Sequence, residues 1–72
     1  MKIIKYQTKN LACYYAKDSV GNDHYQIYEI GEYDIPICIY VDRNTIHLSE
    51  KLSEDITTYK FFEELRELIK NL

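Results

Sequence analysis

Phe61-Phe62-Glu63-Glu64-Leu65-Arg66-Glu67-Leu68-Ile69-Lys70-Asn71-Leu72 decides the fold of this chain. Its apolar residues Phe61, Phe62, Leu65, Leu68, Ile69 and Leu72 recur at spacings that lay one stripe along a helix of 3.6 residues per turn. Lys60, Glu63, Glu64, Arg66, Glu67, Lys70 and Asn71 fall on the other side. The helical rhythm extends back to about Asp55, and Ser53, Asp55, Thr57 and Thr58 are all residue types that cap a helix start. Such a stripe is stable in water only when it lies on another apolar surface. That surface has to come from upstream.

Before Ser49 the rhythm changes to alternation. Leu11 to Ala16 reads as a strand with Leu11, Cys13 and Tyr15 on one side and Ala12, Tyr14 and Ala16 on the other. The turn formers from Asp18 to Asp23 close it. His24 to Ile30 alternates Tyr25 and Ile27 against Gln26, Tyr28 and Ile30, and Gly31 to Asp34 turns again. Ile35 to Val41 is apolar on both sides, the pattern of a covered central strand, with Pro36 tolerated near its start. Ile3 to Tyr6 and Thr45 to Leu48 read as short edge strands. The expected architecture is a single α+β domain over residues 1–72. It is an antiparallel meander of three main strands, with short extra edge strands, and one C-terminal amphipathic helix packed on one sheet face.

One helix covers one side of a sheet. The uncovered side is expected to carry Tyr14, Tyr28 and Tyr40 on neighbouring strands, supported by Ala12, Ala16, Ile30 and Cys38. A patch of that kind is seldom left bare on a monomer. Tyr14, Tyr28, Ile30, Cys38 and Tyr40 are therefore the candidate contact residues for a second copy of the chain or another protein.

Composition narrows the alternatives. At 72 residues, 46% hydrophobic and 29% charged, the chain fits one small globular domain and excludes a disordered or low-complexity segment. Nine basic residues against 12 acidic ones leave a net charge of −3, without the basic surplus of a nucleic-acid binder. The charge is uneven: residues 1–24 hold four lysines and two aspartates, and residues 25–72 hold five basic and ten acidic residues. That asymmetry favours self-association across a two-fold axis, steering more than holding it. The opening from Met1 to Tyr6 is broken by polar residues before a signal-peptide core accumulates, and no apolar run is long enough to span a bilayer. The expectation is a soluble cytoplasmic chain with Cys13 and Cys38 as free thiols.

None of the chemistry-bearing residues forms a recognisable catalytic or metal signature. Cys13, His24, Cys38 and His47 supply the ligand types of a zinc site, but structural zinc sites place paired ligands two to five residues apart and these stand much further apart. Neither cysteine sits in a setting that would make it a thiolate nucleophile. Glu29, Glu32 and Asp34, and Asp18 with Asp23, lack the spacing of a calcium loop and read as solvated loop charges. Both glycines stand alone, so no phosphate-cradling loop is present. The expectation is a non-enzymatic protein with no cofactor and no metal.

Two binding alternatives remain. Tyr14, Tyr28 and Tyr40 could stack the bases of a single-stranded nucleic acid beside Lys2, Lys5, Lys9 and Lys17, although the net charge makes nucleic acid a poor partner. Glu63, Glu64 and Glu67 could imitate a phosphate array, but charged helix faces are usually just solvated.

In length and order of parts the chain resembles the small uncharacterised prophage proteins of Bacillus called the YopT family. The resemblance rests on the segments Leu11 to Ala16, His24 to Ile30, Ile35 to Val41 and Phe61 to Lys70. It implies three strands and one helix assembled as a homodimer, with no assigned activity and so no functional residues to carry over. The expected function is that of a phage or prophage accessory protein that homodimerises and acts by binding a host or phage protein.

Overall fold

The computed structural model describes residues 3–72, with Lys51 described by its backbone alone. β1 (Ile3–Gln7), β2 (Leu11–Lys17), β3 (Asp23–Glu29), β4 (Cys38–Asp42) and β5 (Thr45–Leu48) form one antiparallel sheet in sequential order. A short helix α1 (Glu50–Ser53), a 3-10 turn (Ile56–Thr58) and the helix α2 (Phe62–Lys70) follow. The α+β class and the C-terminal helix match the sequence reading. The strand count does not, because the segments read as edges pair fully and make five strands of the expected three.

The meander follows from its turns. Gly21 and Gly31 both adopt φ of +90°, where a side chain would be strained, and each stands in the turn that follows a strand, Gly21 after β2 and Gly31 after β3. Gly31 also explains why β3 stops at Glu29 and not at Ile30: the Glu32 amide bonds back to the Glu29 carbonyl at 2.9 Å, and Ile30 is turned out to solvent. β4 starts later than the apolar pattern from Ile35 to Val41 suggests. Ile35 and Pro36 lie in the preceding loop, and pairing begins once Pro36, which has no amide to donate, is past.

Leu11 and Cys13 on β2, Ile27 on β3, Ile37 and Cys38 at the start of β4, Leu52 on α1 and Leu65 and Leu68 on α2 form the core. Removing a leucine side chain from water contributes about 1.5–3 kcal/mol, so Leu65 and Leu68 are the main reason α2 lies where it does. α1 was not legible as a helix: four residues are too few for a periodic pattern, yet its Leu52 is among the most deeply buried side chains. Helical structure does not run continuously from Asp55 either. The Asp55 carboxylate accepts the Thr57 amide at 3.0 Å and caps the 3-10 turn, and Tyr59 then turns extended, so α2 starts at Phe62 without a side-chain cap. Glu63 and Glu64 in its first turn complement the helix dipole instead.

Candidate interaction surface

Strand register assigns every alternating residue to a side. Leu11, Cys13 and Tyr15 pair across β2–β3 with Glu29, Ile27 and Tyr25, and Ile27 and Tyr25 pair onward with Cys38 and Tyr40. Cys38 and Tyr40 therefore face the helices, and both are buried there. This corrects the expected grouping, which put them on the uncovered side with Tyr14 and Tyr28. Alternation within Ile35 to Val41 is apolar on both sides, so the pattern could not say which side was which; the Ile27–Cys38 pairing does.

The side turned away from the helices is built on a row that crosses all five strands: Ile4, Tyr14, Gln26, Ile39 and His47. On one flank of the row lie Ala16, His24 and Val41; on the other lie Gln7, Ala12 and Tyr28. These eleven positions include no Asp, Glu, Lys or Arg, in a chain that is 29% charged. Exclusion of charge from one surface is the compositional mark of an interface core.

One end of this face is closed by the chain itself. Tyr33, from the loop after Gly31, brings its ring to 6.0 Å from Tyr14 and 5.9 Å from Tyr28, and those two rings stand 5.7 Å apart, all edge-on. Tyr28 is 3% exposed as a result, and its hydroxyl donates to the Gln26 side-chain oxygen at 2.7 Å. The Gln26 amide nitrogen lies 3.1 Å from His24 Nε2. Of the five candidate contact residues, only Tyr14 and Tyr28 share the open side; Ile30 lies in a turn, and Cys38 and Tyr40 are beneath the helices. Loop-borne Tyr33 was missed, because a residue outside the alternating runs has no side that a pattern could assign. The apolar residues left accessible are Ile4, 53% exposed, and Val41, 40% exposed, with Ile39 half-buried between them.

The other candidate chemistries separate in space. Cys13 and Cys38 face the helices while His24 and His47 belong to the opposite side, so the sheet itself divides the four ligand types. The two cysteines flank Ile27 from neighbouring strands, about 10 Å apart at ordinary strand spacing and too far for a disulfide. Burial pushes the Cys13 thiol up to about 12, with Cys38 adding to the effect, and burial raises Cys38 to about 11. Neither is a nucleophile near neutral pH. Among the described residues no group of three or more His, Cys, Asp or Glu side chains could hold a metal.

Glu29 corrects the reading of its cluster as solvated loop charge. It is 8% exposed and accepts a 2.6 Å bond from the Tyr59 hydroxyl, whose acidity is suppressed by burial and by that carboxylate. Together with Glu32, Asp34 and Glu50 it lines an open cleft of about 550 Å³ beside Ile35, Pro36 and Ile37.

The base-stacking arrangement is not assembled. Tyr40 lies on the wrong side, Lys17 pairs with Asp23 at 2.6 Å, and Lys2 is outside the described residues. Of the helix glutamates, Glu63 pairs with Arg66 at 2.8 Å and Glu64 binds Asn10, which leaves no continuous array of unpaired carboxylates. No helix among the described residues is long and apolar enough to cross a membrane. No protein family, no curated protein and no solved structure matches the chain.

Proposed function

We propose that this chain is a non-enzymatic cytoplasmic protein that homodimerises through the open sheet face and acts by binding another protein, as a phage or prophage accessory protein of the kind its layout resembles. The observation that carries the proposal is the absence of formal charge from eleven positions on one side of the sheet. Two copies of a chain with net charge −3 repel one another, and contact through these eleven positions keeps carboxylates out of the centre of the contact. Ile4, Ile39 and Val41 supply the apolar area and Tyr14 the aromatic anchor, and the turn carboxylates Asp18 and Asp23 form a polar rim.

Size sets the strength. Five strands spaced about 4.8 Å apart and about five residues long present a plane of roughly 400 Å² per partner, which belongs with weak, reversible complexes. Dimerisation is therefore expected at about micromolar to higher concentration. The test is Ile4→Glu with Val41→Glu, two exposed positions whose change leaves the core untouched, followed by light scattering over a concentration series. The expected result is a dimer for the unmodified chain and a monomer for the variant with unchanged circular dichroism. A variant that still dimerises, or an unmodified chain that stays monomeric throughout the series, would sink the proposal.

A further inference from the structure

Acidic side chains are crowded into one place. Of the chain's 12 Asp and Glu residues, Glu29, Glu32, Asp34 and Glu50 line the open cleft of about 550 Å³, and no Lys, Arg or His lines it among the described residues. We propose that this cleft is the docking site for a partner protein, taking an arginine side chain from a basic segment whose neighbouring apolar residues lie on Ile35 and Pro36. The inference rests on the reading above that the chain acts by binding another protein, and it names the chemistry of that partner.

Backbone bonds hold the sides of the cleft together. The Glu32 amide donates to the Glu29 carbonyl at 2.9 Å across the Gly31 turn. Ile37 anchors the rest of the loop: its amide donates to the Ile27 carbonyl at 2.8 Å, and its carbonyl accepts the Ser49 amide at 3.1 Å. That second bond brings the start of α1, with Glu50, against the acidic turn. Glu29 is bonded to the Tyr59 hydroxyl, whereas Glu32, Asp34 and Glu50 are exposed and none of them is in an ion pair among the described residues. A cleft lined by charge of one sign concentrates its field on an incoming ion of the other sign. Ser49 lines the same cleft, and its hydroxyl oxygen is shut off from water without a hydrogen-bond partner. A turn about its one side-chain bond offers that oxygen to an N–H donor in the cleft.

The cleft also selects among cations. Its carboxylates are spread along it, and among the described residues no three acidic, His or Cys side chains converge where a metal ion could sit. A guanidinium carries its donors in a planar fork and reaches separate acceptors at once. The apolar wall selects further: Ile35 is 74% exposed beside Pro36, and Ile30 on the same loop is 40% exposed. Surface of that kind adds affinity only for a ligand that brings apolar groups of its own, which a peptide segment does and a free polyamine does not.

The experiment is fluorescence anisotropy of a labelled peptide of alternating arginine and leucine, titrated with the protein at about 0.15 M salt, where long-range attraction is screened. The unmodified chain is compared with two variants, both checked by circular dichroism. Glu32→Gln with Asp34→Asn and Glu50→Gln neutralises the cleft, and Glu54→Gln with Glu63→Gln and Glu67→Gln removes the same net charge outside it. The expected result is a dissociation constant that rises at least about tenfold for the cleft variant and less than about threefold for the other. Replacing the peptide's leucines by serine should weaken binding about threefold or more. No binding by the unmodified chain, equal weakening in the two variants, a serine peptide bound as tightly, or spermidine displacing the labelled peptide as well as unlabelled peptide does, each overturns the inference. If the cleft variant does not fold, Asp34→Asn alone against Glu67→Gln alone takes its place, with about a threefold difference expected and none overturning the inference. Light scattering on the same samples judges the dimer separately. A chain monomeric throughout overturns the dimer reading and leaves the cleft to the peptide result. A cleft variant that loses a dimer formed by the unmodified chain makes the occupant a second copy and overturns the inference.

Discussion

Replacing Glu64 by alanine tests the polar bond that fixes α2 on the sheet. Glu64 lies in the first turn of α2, and its two carboxylate oxygens accept from one residue 54 positions away, the Asn10 backbone amide at 2.9 Å and the Asn10 side-chain nitrogen at 2.7 Å. The Asn10 carbonyl in turn accepts the Ile30 amide at 3.0 Å, so the same residue ties the β1–β2 turn to the end of β3 and to the helix. Two charge-assisted bonds in a dry interior would be worth about 1.5–3 kcal/mol each, but water reaches this carboxylate, and a discounted total of about 1–2 kcal/mol is appropriate. Against a total of about 4–11 kcal/mol for a domain of this length that is a large share. With a urea dependence of about 1 kcal/mol per molar, Glu64→Ala should lower the unfolding midpoint by about 1–2 M.

The pH dependence gives the sharper check. The Asn10 side chain, then Thr8 and the Asn10 amide, hold the Glu64 carboxyl below its ordinary value of 4.5 in the folded chain. A folded pKa below the unfolded one gives stability that is complete above the unfolded value and disappears as pH falls through the folded one. The gap between the unmodified chain and Glu64→Ala should thus be widest near about pH 7 and narrower near about pH 2.5, where more of the folded carboxyl is protonated. Glu64→Gln, which can still bond to the Asn10 amide but does not titrate, should fall between them. Urea melts followed by circular dichroism measure all three. A gap of the same size at both pH values refutes the ionic account of this bond.

Two further outcomes follow from the core. Cys13 and Cys38, buried and with thiols raised to about 12 and about 11, should resist a thiol reagent near about pH 8 until urea unfolds the chain; rapid labelling of the native protein would contradict their burial. Leu65→Ala removes a 1% exposed side chain at the helix–sheet contact and should cost about 2–5 kcal/mol, lowering the melting temperature by at least about 10 °C, whereas a fall under about 5 °C would show that the helix is held by something else.

Position on the chain decided how much of this was legible. Residues with strong local periodicity, such as Leu65 and Leu68 on α2 or Cys13 and Ile27 on the central strands, are buried where their spacing says they should be. Tyr33 and Leu52 carry no such pattern: one reaches across the sheet from a loop, and the other is buried from a four-residue helix. Glu29 lay in a run of acidic turn residues, and nothing local distinguished it from Glu32 or Asp34. Its burial depends on Tyr59, 30 positions later, arriving with a hydroxyl to bond.

By itself the amino-acid order determined the α+β class, the meander, the helix stripe and the two sides of β2 and β3, because each depends on a period read over a few neighbouring residues. Only the tertiary structure decided that Cys38 and Tyr40 turn toward the helices, that Tyr33 closes one end of the open face, and that the eleven uncharged positions of this face lie together. Alternation fixes which residues of a strand lie together, and leaves open the phase between one strand and the next. Here that phase is set by the eight-residue connection from Ile30 to Ile37 and by the Ile27–Cys38 pairing it permits, and a shift of one residue would have exchanged every side chain of β4 between the two sides.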